Sequence, residues 1–123
     1  MDQQLNFKTD LDQIMQALHQ VTGFKGGISL TVHTTCKSFE EATKDYCDLA
    51  MCFHHDNSIH LLGHLFDPEI LQRYNEERNT KATPLEVVAH EMLHLIRGDS
   101  DHGPEFQTQL FSIVAEAEQV IAA

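Results

Sequence analysis

The sequence predicts an α+β domain, with helices packed on one side of a small sheet built around a β-hairpin. Three observations lead there. Apolar residues recur at helical spacing near both ends of the chain. Two short runs of strand-forming residues flank Asp56-Asn57. A proline follows a capping residue at Asp67-Pro68 and again at Thr83-Pro84, where two further helices should begin.

Taken in order, Phe7, Leu11, Ile14, Leu18 and Val21 follow the helical period, with Thr9 as the expected cap and Gly23 as the stop. Residues 28–34 are rich in β-branched side chains and partly alternate, which predicts a strand. Ser38 followed by Glu41 has capping-box form and predicts a short helix over 39–47. Leu49 to His54, the Asp56-Asn57 turn and Ser58 to Leu62 read as a hairpin. Asp67 should cap the next helix, with Pro68 in its first turn and Phe66 stapled to Leu71. Thr83, Pro84 and Glu86 combine a cap, a first-turn proline and a capping box, so a helix should run from there to Arg97 and end at Gly98. A last helix should start near Pro104, with Phe106, Leu110, Ile113, Val114, Ala117 and Ile121 on one face.

A chain of 123 residues with 41% apolar content suits one folded domain over 1–123. Its formal charge of −11 disfavours binding to a phosphate backbone, which needs a basic surface, so nucleic acid is not the expected partner. The acidic surplus reads as a solvated face. No apolar run approaches the roughly 18 residues of a membrane span. Met1-Asp2-Gln3-Gln4 lacks the basic-then-apolar pattern of a signal peptide, so an intracellular, cytoplasmic setting is expected. Cys36, Cys47 and Cys52 are odd in number and form no CxxC, which excludes a cysteine-built zinc ribbon; small buried thiols are expected, not disulfides.

The chemistry concentrates in His90-Glu91-Met92-Leu93-His94, an HExxH motif on the predicted 84–97 helix. Residues four apart share a helix face, so both imidazoles can reach one metal ion. Leu85, Val88, Ala89, Met92, Leu95 and Ile96 should form the buried side of that helix. Two ligands hold a metal poorly, and His102, between the stop at Gly98 and the helix start at Pro104, is the expected third. Asp99 and Asp101 are rival ligands. The metzincin pattern does not apply, because Arg97 and Ser100 stand where its glycine and third histidine would be. Elsewhere, His54-His55 reads as an exposed turn, and His60 and His64 surround a strand end near Gly63.

HEMLH followed by His102-Gly103-Pro104-Glu105-Phe106 resembles the SprT-like metallopeptidases, which include the Spartan proteases, whose motif is HExxH and then HGxxF. The resemblance takes in Thr83 to Phe106 and, loosely, the hairpin before it. It implies a small zincin-like fold with HExxH on the active-site helix and one Zn²⁺ per chain, held by His90, His94 and His102. It also implies Glu91 as the catalytic base of a metalloprotease acting on protein or peptide substrates. Many such proteins carry a C-terminal cysteine ribbon, which is not expected in this chain. A second donor to the developing oxyanion is left open among His60, His64, Tyr74 and Arg97. An extended peptide substrate is expected to add to the hairpin edge. The contrasting readings are a catalytically silent, zinc-stabilised protein-binding module and a zinc hydrolase of a non-protein amide. A free intracellular protease also calls for restraint, from a regulatory protein partner or a closed cleft.

Overall fold

A computed structural model describes residues 7–123, so the Met1 to Gln4 stretch lies outside the described residues. It is an α+β fold of five helices and a three-stranded mixed sheet. In chain order these are α1 (Phe7–Thr22), β1 (Ser29–His33), α2 (Cys36–Thr43), β2 (Ala50–Phe53) and β3 (Ser58–Leu62). A single 3-10 turn (Gly63–Phe66) then leads to α3 (Pro68–Arg78), α4 (Pro84–Arg97) and α5 (Pro104–Ala122). Among the described residues no helix is long and apolar enough to cross a membrane.

The strand order is β1-β3-β2. The hairpin forms as expected, with Phe53 opposite Ser58, and β1 adds in parallel on its far side, with Leu30 opposite Ile59. Alternation along the strands gives the sheet two faces. Leu30, Val32, Ala50, Cys52, Ile59 and Leu61 face the main core, together with α1, α4 and α5. His33 and His60 belong to the opposite face. The expectation of helices on one side only is therefore corrected: α2 packs on that second face, where fully buried Phe39 meets the His33 ring edge-on at 5.6 Å.

The local signals mostly work. Gly23 takes the left-handed conformation that ends α1. Asp67 caps α3 through the amides of Glu69 and Ile70, and Thr83 caps α4 through the amide of Glu86. On α5, Phe106, Val114 and Ala117 are buried, with Leu110, Ile113 and Ile121 half-buried beside them.

Several expectations fail. Thr9 lies inside α1, which already runs at Phe7, and the Phe7 side chain lies outside the described ones. The second helix spans 36–43, not 39–47, because Thr35 accepts the Ser38 amide as its cap while the Ser38 hydroxyl is engaged by His33. Lys44 then turns left-handed and ends it early. That reversal brings Cys47 back to the helix start, where it forms a disulfide with Cys36 across a Cα–Cα distance of 5.3 Å. Cys52, also expected in the core as a buried thiol, is a free, half-buried cysteine. Finally, Ile96 is exposed; the buried side of α4 takes Leu93 in its place, and Leu85 is only half-buried.

His33 gives the second face a pH response. Its Nδ1 meets the Ser38 hydroxyl at 2.7 Å and its Nε2 meets His60 Nδ1 at 2.9 Å. Burial, with a smaller contribution from His60, holds its pKa below 6.5. The unfolded chain then binds more protons than the folded one just below pH 6.5. Stability contributed by neutral His33 is therefore complete above that pH and is lost as pH falls through the window beneath it. Urea unfolding of the metal-free protein at pH 7.5, 6.5 and 5.5 should show a shallower loss for His33→Asn than for wild type. Parallel curves would remove His33 from the account.

Candidate metal centre

The centre is assembled from one helix and one connection. On α4, His90 and His94 are one turn apart and point the same way. After Arg97 the helix stops at Gly98, whose left-handed backbone sends its amide to the His94 carbonyl at 2.8 Å. The chain returns over the helix end, and His102 arrives just before α5. Phe106, in the first turn of α5 and fully buried, lies beneath all three imidazoles. Its ring stacks on His94 at 4.4 Å. The phenylalanine of HGxxF is thus an apolar floor, a role that spacing alone did not reveal.

The three Nε2 atoms form a nearly equilateral triangle. His94 to His102 is 3.0 Å, His94 to His90 is 3.1 Å and His90 to His102 is 3.2 Å. Zinc bonded to imidazole at about 2.0–2.1 Å in a tetrahedral arrangement needs nitrogens roughly 3.3 Å apart, so the donor set fits with a few tenths of an ångström of adjustment. The tautomer suits it as well. His94 Nδ1 lies 3.0 Å from the Asp99 carbonyl, so that nitrogen carries the proton and Nε2 keeps its lone pair. Burial first, then the neighbouring imidazoles, push His90 down to about 4, and burial also lowers His94. Both rings are neutral, and so available as ligands, at ordinary pH.

Glu91 stands beside the triangle, with one carboxylate oxygen 3.8 Å from His90 Nε2. It does not join the group of donor atoms lying within 4.8 Å of one another, which contains the three histidines alone. Burial raises its pKa to about 7, against the opposing effect of a hydrogen bond from the Cys52 thiol. The Cys52 thiol is in turn pushed up to about 12, by burial and by the Glu91 charge. A carboxylate poised near neutrality beside a metal-ligand triad matches the needs of a general base, and a nearby cation would draw its pKa back down. A cavity of about 250 Å³ opens against His90 and Glu91, walled by Leu49, Ala50, Val87 and Leu110, with Asp48 and Glu86 adding further carboxylates.

Family models, curated proteins and solved structures give no match to this chain.

The rival ligands are engaged elsewhere. Asp99 and Asp101 both pair with Arg97. Of the four residues named as possible oxyanion donors, His60 is on the far face of the sheet with His33, and His64 lies in the 3-10 turn before α3. Tyr74 interacts with Asp48 and is not among the residues lining the cavity, and Arg97 is occupied by its aspartates. His54 lies in the exposed turn after β2, as expected from sequence, and what sequence reasoning missed is its contact with α4. Its Nε2 donates to the His94 carbonyl at 3.0 Å. Cys52, on β2, also faces α4, and two-residue alternation along the strand was the signal that could have placed it there. The neighbouring His55 is exposed, as expected, beside Asp56.

Proposed function

We propose that this chain is a zinc-dependent peptidase of the SprT-like kind, with His90, His94 and His102 as metal ligands and Glu91 as general base. One observation carries the reading: a half-buried carboxylate whose pKa is raised to about 7 stands 3.8 Å from one corner of a three-imidazole triangle of zinc-binding size. A site that bound zinc only for stability would have no use for such a group.

Bound zinc would supply Lewis acidity, bringing the pKa of a water molecule towards about 7 and stabilising negative charge on oxygen. The chain's own groups do the rest. Glu91 accepts the proton of the attacking water and can deliver it to the departing amine. The Cys52 hydrogen bond fixes one side of that carboxylate. Phe106 floors the site with apolar surface and keeps water from beneath the imidazoles. Among the described residues β2 pairs on one side only, so its other edge offers backbone groups to an extended peptide beside the cavity at His90 and Glu91. Protein or peptide is therefore the proposed substrate class.

The test is zinc stoichiometry together with cleavage. Protein purified metal-free and reconstituted should hold one zinc per chain, and His102→Ala should weaken uptake sharply. The loaded protein should cleave unfolded protein substrates, and a chelator should stop it. Uptake indifferent to His102→Ala would remove that ligand. Stoichiometric zinc with no cleavage of any unfolded substrate would leave a zinc-stabilised binding module.

A further inference from the structure

We propose that Arg97 is the positioning residue that places the third imidazole of the centre, an inference that rests on the reading of the triad as a metal site. His90 and His94 need no outside help, because α4 itself sets them one turn apart. His102 belongs to no regular element. It sits in the connection between Arg97 and Pro104, yet its Nε2 lies 3.0 and 3.2 Å from the other two. Something must hold that connection in one shape.

Arg97, the last residue of α4, reaches along it. Its Nε donates to both carboxylate oxygens of Asp99 at 3.3 Å, and Nη2 lies 3.9 Å from the Asp101 carboxylate. Nη1 donates to the Gln109 side chain on α5. The guanidinium carbon is 5.9 Å from the centre of the Phe106 ring, the same ring that stacks on His94.

Each anchored aspartate then holds part of the site. The Asp99 carbonyl receives His94 Nδ1–H at 3.0 Å, and its carboxylate accepts the Asp101 amide at 3.3 Å. The Asp101 carboxylate accepts the Gly103 amide at 3.1 Å. The two residues flanking His102 are thus both tied, directly or through one hydrogen bond, to a single guanidinium. With that cation removed, Asp99 and Asp101 would face each other unneutralised in a chain of net charge −11. The connection would open, and both carboxylates would be released as poorly placed competitors for the metal. Lysine would substitute only in part, since a single ammonium lacks the planar fork that serves two carboxylates and an amide at once. The Arg97 side chain is 18% exposed, but the Asp99 and Asp101 carboxylates are 42% and 62% exposed, so solvent screens their charge and the guanidinium acts chiefly by fixing geometry.

The experiment measures zinc affinity by competition with a chromophoric chelator, alongside the visible spectrum of the cobalt-substituted protein and the melting of the metal-free form. Arg97→Ala should weaken zinc binding about 10- to 100-fold, the usual cost of losing a partner that orients a ligand. It should also alter the cobalt spectrum, with little change in metal-free melting. Arg97→Lys should restore only part of the affinity. Asp99→Asn should act in the same direction, and combining it with Arg97→Ala should add little, because both break one network. Arg78→Ala, which removes a cation from over Tyr74, should leave zinc binding alone. Wild-type affinity and spectrum in Arg97→Ala would overturn the proposal. So would an affinity loss matched by collapse of the metal-free fold, which would make Arg97 merely structural. Failure of the wild type to take up zinc or cobalt would instead overturn the metal centre itself, and this inference with it.

Discussion

Glu91→Gln is expected to cut hydrolysis by at least about 10²-fold while leaving zinc uptake and folding nearly intact. Gln has almost the same shape and keeps one acceptor oxygen for the Cys52 thiol, but it cannot take a proton from water. The side chain lies outside the group of ligating atoms, so the metal loses no donor. Folding should even gain slightly, because a group with a pKa raised to about 7 by burial is costly to ionise in place. The comparison needs verified zinc loading of both proteins, assayed on several unfolded substrates and watched for self-cleavage. Equal residual rates on every substrate would return the chain to the binding-module reading. Loss of protein cleavage with retained zinc would support the base. Turnover of small amides alone would move the proposal to a different substrate class.

The second large effect concerns the Cys36–Cys47 bridge, and it bears on stability. The two cysteines are 11 residues apart in sequence. Closing a loop of that size restricts the unfolded chain by about 3 kcal/mol in the chain-entropy account. In a domain of this length that corresponds to roughly 10 °C in melting midpoint. The oxidised protein should therefore melt well above a reduced sample or the Cys36→Ser, Cys47→Ser double variant. Native alkylation followed by mass spectrometry should find one free thiol, Cys52. Coincident melting curves, with the bridge shown present in one sample and absent in the other, would contradict this. The bridge ties α2 to the segment that leads to Asp48 and Leu49 in the cleft wall, so reduction should loosen that wall as well. A lasting bridge also needs an oxidising compartment or protection from reductants.

How much of this was readable depends on how local the cause is. The start of α4 was legible because Thr83, Pro84 and Glu86 act within one turn, and its end because Gly98 needs only its own backbone freedom. His90 and His94 follow from that helix, and His102 from its place between the stop at Gly98 and the helix start at Pro104. The α2 boundary was not legible, because Thr35 and Ser38 are both good caps. The choice was made by His33, which engages the Ser38 hydroxyl from a different element. The disulfide depends on a reversal at Lys44 that no cysteine count reveals. His54 and Cys52 reach α4 only because of the way β2 lies against it, a matter of tertiary packing. The parallel placement of β1 on β3 likewise joins residues 29 apart in sequence, beyond the reach of a local pattern.

Packing of α1 against α5 also constrains the order of events during synthesis. Of the described elements α1 leaves the ribosome before the others, and its Leu11, Ile14, Ala17 and Leu18 are covered in part by Val114 and Ala117 of α5. At roughly 5–20 residues per second, that apolar face waits several seconds for its partner, a span in which an exposed stripe attracts holding chaperones or other nascent chains. On the proposed reading, metal acquisition would fall under the same schedule. Until His102 emerges, the growing chain presents two imidazoles on a nascent helix, a weak and unselective trap. The three histidines are together only when α5 is about to appear, so on the proposed reading zinc capture would coincide with the docking of α5.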